Sequence, residues 1–166
     1  MVLKKGVLLT KDNLIRRNWK GDRGCAFCHT PETIHHLFFT CAYARFIWSA
    51  VHMVFGIPKP DNVTDLFNVW LKRGGSNHNL LLLTATASLC WTLWISRNEI
   101  VFDKYKPKTF LQVLFRGTYW LRLWARFQRR DDQREELIQA CRLLETSCLQ
   151  LFHSFGWSTP FRIECV

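Results

Sequence analysis

Four residues able to ligate one metal ion lie close together near the start of the chain, and this cluster constrains its folding more than any other feature. In GCAFCHTPETIHHLFFTC, residues 24–41, Cys25 and Cys28 have two residues between them, and His36 and Cys41 follow. Two cysteines so spaced on a tight turn can both reach one ion at about 2.3 Å, and a histidine and a cysteine arriving from the next element can complete a tetrahedron. Thiolates with an imidazole favour zinc over Mg²⁺ or Ca²⁺. Four protein ligands leave no open position, so a single structural Zn²⁺ is expected at Cys25, Cys28, His36 and Cys41. The competing reading is three core cysteines with hydrogen-bonded histidines, and the polar, glycine-flanked setting of Cys25 and Cys28 argues against it.

Spacing alone leaves the histidine open. His29 directly follows Cys28 and would need a strained turn. His35 leaves six and five residues to the neighbouring cysteines, whereas His36 leaves seven and four. A slight preference falls on His36, with His35 left to hydrogen-bond or face solvent.

The other cysteines point to a reducing environment. The chain has 7 Cys, an odd number at uneven spacing, and its first ten residues (MVLKKGVLLT) contain too short an apolar run for a secretory signal. An intracellular protein is expected, with Cys90, Cys141, Cys148 and Cys165 as small apolar fillers.

Periodicity predicts a mainly α protein, a small zinc-binding module with a helical C-terminal extension. Thr10 caps a helix from Lys11 to about Trp19, and Thr40 caps another running to about Phe55, with Phe46, Ile47, Ala50, Val51 and Val54 on one face. The stretch from Gly56 to Asp61, with Pro58 and Pro60, ends that helix and sets the expected division, residues 1–57 and 58–166. Further helices are expected near 65–72, 79–98, 110–128 and 131–155, with Asn77 near the start of the second and Thr109 capping the third. The uncharged run Leu80 to Ile95 is short of the roughly 20 residues a bilayer needs. Leu83, Ala87, Trp91 and Trp94 instead suggest a buried central helix, and the pairs Trp91/Trp94 and Trp120/Trp124 read as core.

Charge narrows the function classes. The 166 residues carry 23 Lys+Arg against 13 Asp+Glu, a formal net charge of +10. Such a balance favours an anionic partner, nucleic acid or acidic lipid. Basic residues concentrate at the start: Lys4, Lys5, Lys11, Arg16, Arg17, Lys20 and Arg23 precede or enter the cysteine loop. They can grip phosphates, or they can be a solvated helix face. No Gly-x-Ser-x-Gly elbow, phosphate-binding glycine loop or His-Glu-x-x-His is present, and Asp131 and Asp132 sit in a charged run, RRDDQREE, that reads as a solvated face. An enzyme is not expected.

Longer stretches carry a family resemblance. LTKDNLIRRNWKGDRGCAFC, ETIHHLFFTCAYARFIW and WTLWISRNEIVF resemble the zinc-binding domain that follows reverse transcriptase in plant LINE-type retrotransposons, together with the segment after it. The resemblance implies Cys25, Cys28, His36 and Cys41 as ligands, with Ala42 where the family often has proline. Measured against the family, the module is expected to be N-terminally truncated, lacking a piece of the domain before Met1, and the polymerase is missing from this chain. The implied role is non-catalytic binding of RNA or DNA for a reverse transcriptase, in the nucleus if the element's biology applies, and the basic residues Lys11, Arg16, Arg17, Lys20 and Arg23 would supply the affinity. Two other expectations stand beside it: a protein-interaction module whose 131–155 helix exposes Leu137, Ile138, Cys141, Leu144, Cys148, Phe152 and Phe155 to another helical chain, and a retroelement fragment with no function.

Overall fold

The computed structural model describes residues 6–70, 75–103, 105, 107 and 109–154, without the side chains at 69, 70 and 75–78. The described helices are α1 (Lys11–Ile15), α2 (Ala42–Phe55), α3 (Val63–Asp65), α4 (Gly75–Asn98), α5 (Phe110–Ala125) and α6 (Asp131–Ser154). Three π-type turns, His36–Thr40, Leu66–Trp70 and Glu99–Asp103, precede α2 and extend α3 and α4. Among the described residues the only β pairing noted is an isolated antiparallel bridge between Gly24 and Pro31. The protein is mainly α, as its periodicity predicts. Lys4, Lys5, Phe155 and Cys165 lie outside the described residues.

Local chemistry sets the helix ends. α1 stops at Ile15, four residues before the expected Trp19, because Asn18 turns the chain at φ 65° and the Trp19 N–H returns to the Leu14 carbonyl. Asparagine is among the few residues that enter this left-handed region readily. Gly56, also at φ 65°, ends α2 and donates its N–H to the His52 carbonyl, a common glycine stop. Thr109 caps α5 as expected, its Oγ1 accepting the Gln112 N–H at 3.1 Å. Thr10 precedes α1 without a side-chain cap, its buried hydroxyl donating instead to Asp12 Oδ1 at 2.5 Å. Thr40 closes the π-turn, and Cys41 stands at the N-cap of α2.

The central helix buries a different face from the one its sequence suggested. Leu83, Ala87 and Trp94 are half-buried and Trp91 is exposed, while Thr86, Ser88, Leu89, Thr92, Leu93 and Ser96 are inside. A hydroxyl tolerates this burial by bonding its own helix: Ser88 donates to the Ala85 carbonyl at 2.7 Å and Thr92 to the Ser88 carbonyl at 2.8 Å. Small side chains also let α5 come close, so a methyl group at Gly117 would lie 3.0 Å from Leu89. The segment Asn79–Asp103 is long and apolar enough to cross a membrane by length and composition, and here it packs along α5.

One apolar cluster runs across the expected division at residue 57. It joins Cys25, Phe27, Leu37, Tyr43, Ile47 and Trp48 to Leu89, Leu93, Leu114, Leu144 and Phe152. Rings continue the connection. Phe27 stacks on Tyr43 (4.5 Å), Tyr43 meets Phe110 (4.8 Å), Phe110 stacks on Phe46 (5.2 Å), and Phe46 meets Phe152 edge-on (5.9 Å). The stripe Leu137, Cys141, Leu144, Cys148 and Phe152 of α6 is buried inside the chain, with Ile138 partly buried beside it. It is therefore not the exposed docking stripe that an isolated helix would offer.

Candidate metal centre

The loop holding the first two ligands is closed by backbone bonds. The Cys25 N–H donates to the Thr30 carbonyl at 2.6 Å, and the His29 N–H returns to the Cys25 carbonyl at 2.9 Å. His29 takes φ 62° to make this turn. It acts here through its backbone, and its exposed ring is not among the ligands. Gly24 is required on the opposite strand, since a methyl group there would lie 2.9 Å from the His29 carbonyl oxygen.

The second pair depends on the π-turn. Five residues along a regular α-helix rotate a side chain by about 140° net, which would send His36 and Cys41 to different faces. In this chain the Cys41 N–H bonds the His36 carbonyl at 2.7 Å, an i to i+5 closure, and Cys41 leaves the turn with extended backbone. Phe38 anchors the turn to α2 through its carbonyl, which accepts the Trp48 Nε1–H at 2.6 Å. Both side chains then face the Cys25–Cys28 loop.

The four ligand atoms lie within 4.8 Å of one another. A regular tetrahedron with zinc bond lengths has edges of about 3.8 Å between sulfurs and about 3.6 Å between sulfur and nitrogen. The Cys28 and Cys41 sulfurs are 3.9 Å apart, and Cys28 Sγ lies 3.1 Å from His36 Nε2, somewhat tighter. All three cysteines are free thiols, Cys25 and Cys41 buried. The donor set and its spacing fit one Zn²⁺ held by Cys25, Cys28, His36 Nε2 and Cys41. Thr40 Oγ1 lies 3.3 Å from His36 Nδ1, the kind of outer contact that fixes a ligating imidazole in orientation and tautomer. His35 points away, exposed, with its ring against Phe39.

Electrostatics favours thiolate in the loop. The Cys41 thiol, followed by the backbone N–H groups of Phe27 and Cys28, holds Cys25 down to about 5 against the opposing effect of burial. Cys41 is pushed up by the same contact and by burial, while the Tyr43 N–H at the start of α2 acts the other way. The remaining described cysteines are core residues, as expected. Burial alone pushes Cys90 up to about 12, and burial, the largest influence on each, pushes Cys141 and Cys148 up to about 11.

Two residues that chain reading did not connect tie the centre to the helices. Glu32, in the loop between the ligand pairs, and Arg97, near the end of α4, form a buried ion pair at 2.7 Å. Glu32 Oε1 also accepts the Lys11 backbone N–H at 2.9 Å. No spacing rule links positions 65 residues apart. The isolated charge of Glu32 among loop residues was the only available hint.

The basic segment divides. Arg16, Arg17, Lys20 and Arg23 are exposed, and among the described residues only Arg16 of these touches an acid, Asp12 at 3.8 Å. Lys11 is placed otherwise than expected: it is buried, and its ammonium donates to the Gly24 carbonyl at 2.5 Å and to Asp22 at 2.8 Å. A long side chain with an acid and a carbonyl within reach satisfies its charge there, so Lys11 braces the cysteine loop.

No curated protein and no solved structure matches the chain. Residues 1–48 do match the family model for zinc-binding in reverse transcriptase, and the segment that contains all four ligands is thus similar to the zinc-binding domains associated with reverse transcriptases.

Proposed function

We propose that the chain is a non-catalytic, zinc-stabilised nucleic-acid-binding protein that serves a reverse transcriptase. The observation carrying this reading is the placement of Arg16, Arg17, Lys20 and Arg23, four exposed cations on a segment pinned to the zinc loop by Lys11 and Glu32. Zinc would supply folding energy rather than chemistry, its apparent binding in small zinc modules being on the order of 10–16 kcal/mol. A loop held at both ends presents its cations with little ordering cost on binding, which suits phosphate contacts that position a strand without reading its sequence.

The test is a salt titration of binding to an unlabelled-sequence DNA duplex and to RNA. With Lys11 committed internally, four phosphate contacts remain, and log K against log salt should fall with a slope near −3.6 on duplex DNA. Replacing Arg17 and Arg23 by Gln should bring that slope toward about −1.8 while leaving zinc content unchanged. A response flat in salt would remove the nucleic-acid reading. The alternative, a protein-interaction module, loses its main support because the α6 stripe is packed internally.

A further inference from the structure

The pair α4 and α5 carries a second surface that the zinc centre does not explain. Trp91 of α4 (41% exposed), Tyr119 of α5 (60%) and Phe127 just beyond α5 (78%) are exposed large side chains. Half-buried Trp120 links two of them, meeting Trp91 edge-on at 6.2 Å and Tyr119 at 5.7 Å, and it continues to Trp124 at 6.3 Å. An edge-to-face contact covers at most one face of one ring, so this band keeps ring surface available. Trp120 and Trp124, expected in the core, are half-buried beside it, and core packing does not account for Tyr119 and Phe127 either.

Charge indicates what covers the band. Arg126 and Arg129 flank Phe127, and both are exposed with no acidic partner among the described residues. The neighbouring Arg130 and Arg134 pair with Asp132 and Asp131, so the cations beside the ring are the ones left open. Two copies of a chain at +10 repel one another, which disfavours self-association through this face. We infer that the Trp91–Tyr119–Phe127 face binds single-stranded nucleic acid, the rings stacking bases and Arg126 and Arg129 holding the adjacent phosphates. Aromatic stacking tolerates any base and pairs naturally with backbone cations.

This inference rests on the proposed nucleic-acid role but assigns a different surface and a different form of the ligand. Binding of oligo-dT and oligo-U single strands, and of a blunt DNA duplex, would be followed by fluorescence anisotropy with the full zinc-loaded chain. Tyr119→Ala with Phe127→Ala should weaken single-strand binding by at least about fivefold and leave duplex binding unchanged, with Phe127→Trp retaining the strand affinity. Unaltered helical signal and zinc content would show that the double variant is folded. A folded double variant that binds single strands as the parent does would overturn the inference. So would a parent that binds anionic vesicles or forms dimers through these rings while ignoring single strands. Duplex binding that depends on Arg17 and Arg23, with strand binding indifferent to the rings, removes this inference alone. Loss of both kinds of binding in the parent removes it together with the role it rests on.

Discussion

His36 and its two neighbouring candidates show how finely a metal centre is decided at the level of single side chains. His36 presents Nε2 to Cys28 while Nδ1 faces Thr40, whereas His35 lies against Phe39 and His29 serves as a turn residue at φ 62°. His36→Ala should therefore abolish stoichiometric zinc in native mass spectrometry, with His35→Ala and His29→Ala retaining it. Zinc loss in His35→Ala with retention in His36→Ala would reverse the assignment. The Glu32–Arg97 pair is the other residue-scale determinant. Removing one member of a buried, hydrogen-bonded ion pair strands the other charge away from water, at about 3–5 kcal/mol. Arg97→Met should lower unfolding stability in urea by about that amount, and a loss below about 1 kcal/mol would mean that Glu32 escapes to solvent. Neither the partner nor the cost is visible from spacing, because the two residues meet only when the loop docks on α4.

Among the elements, the π-turn at His36–Thr40 and the helix α4 depart most from what periodicity suggested. A regular helix from Thr33 onward would have separated His36 from Cys41, and the i to i+5 closure brings them together. In α4 the expected face of Leu83, Ala87, Trp91 and Trp94 lost to one built from Ser, Thr and Leu. Apolarity alone ranked the large rings as core, but hydroxyls that bond their own helix cost little to bury and permit closer approach to α5. The packing of α6 on α5 has an acid-sensitive component. Glu145 is raised by burial, but the Arg122 guanidinium (2.6 Å) and the Thr118 hydroxyl outweigh this and hold its carboxyl below the usual carboxylate range. A carboxyl lowered on folding stabilises the native state above its unfolded pKa and loses that contribution as pH falls through the folded value. Stability of the parent should thus fall more steeply than that of Glu145→Gln as pH drops below about 4.5. Parallel pH profiles in thermal melts would contradict this coupling.

Across the whole molecule, the zinc loop and the helices share a core, and this sets what metal removal should do. Phe27, between the first two ligands, stacks on Tyr43 and so joins the ring series that ends at Phe152 of α6. Chelation should consequently lower the melting temperature of the entire chain and reduce helical signal beyond residues 1–48, where a detached module would leave the rest unaffected. Unchanged melting of the remaining helices after zinc loss would show the two parts to be energetically separate. The sequence by itself determined the ligand set, with His36 favoured slightly by spacing and implied by the resemblance, and also the helical class, the Gly56 and Thr109 helix ends and the basic start, because local spacing, motif, backbone preference or charge carries each of these. Tertiary structure alone decided that Lys11 is an internal brace, which face of α4 is buried, and that one core spans the expected boundary. Those outcomes depend on contacts between residues far apart in the chain, such as Glu32 with Arg97 and Phe27 with Tyr43. Burial of a polar or aromatic group is settled by the partner it finds there, and linear order does not name that partner.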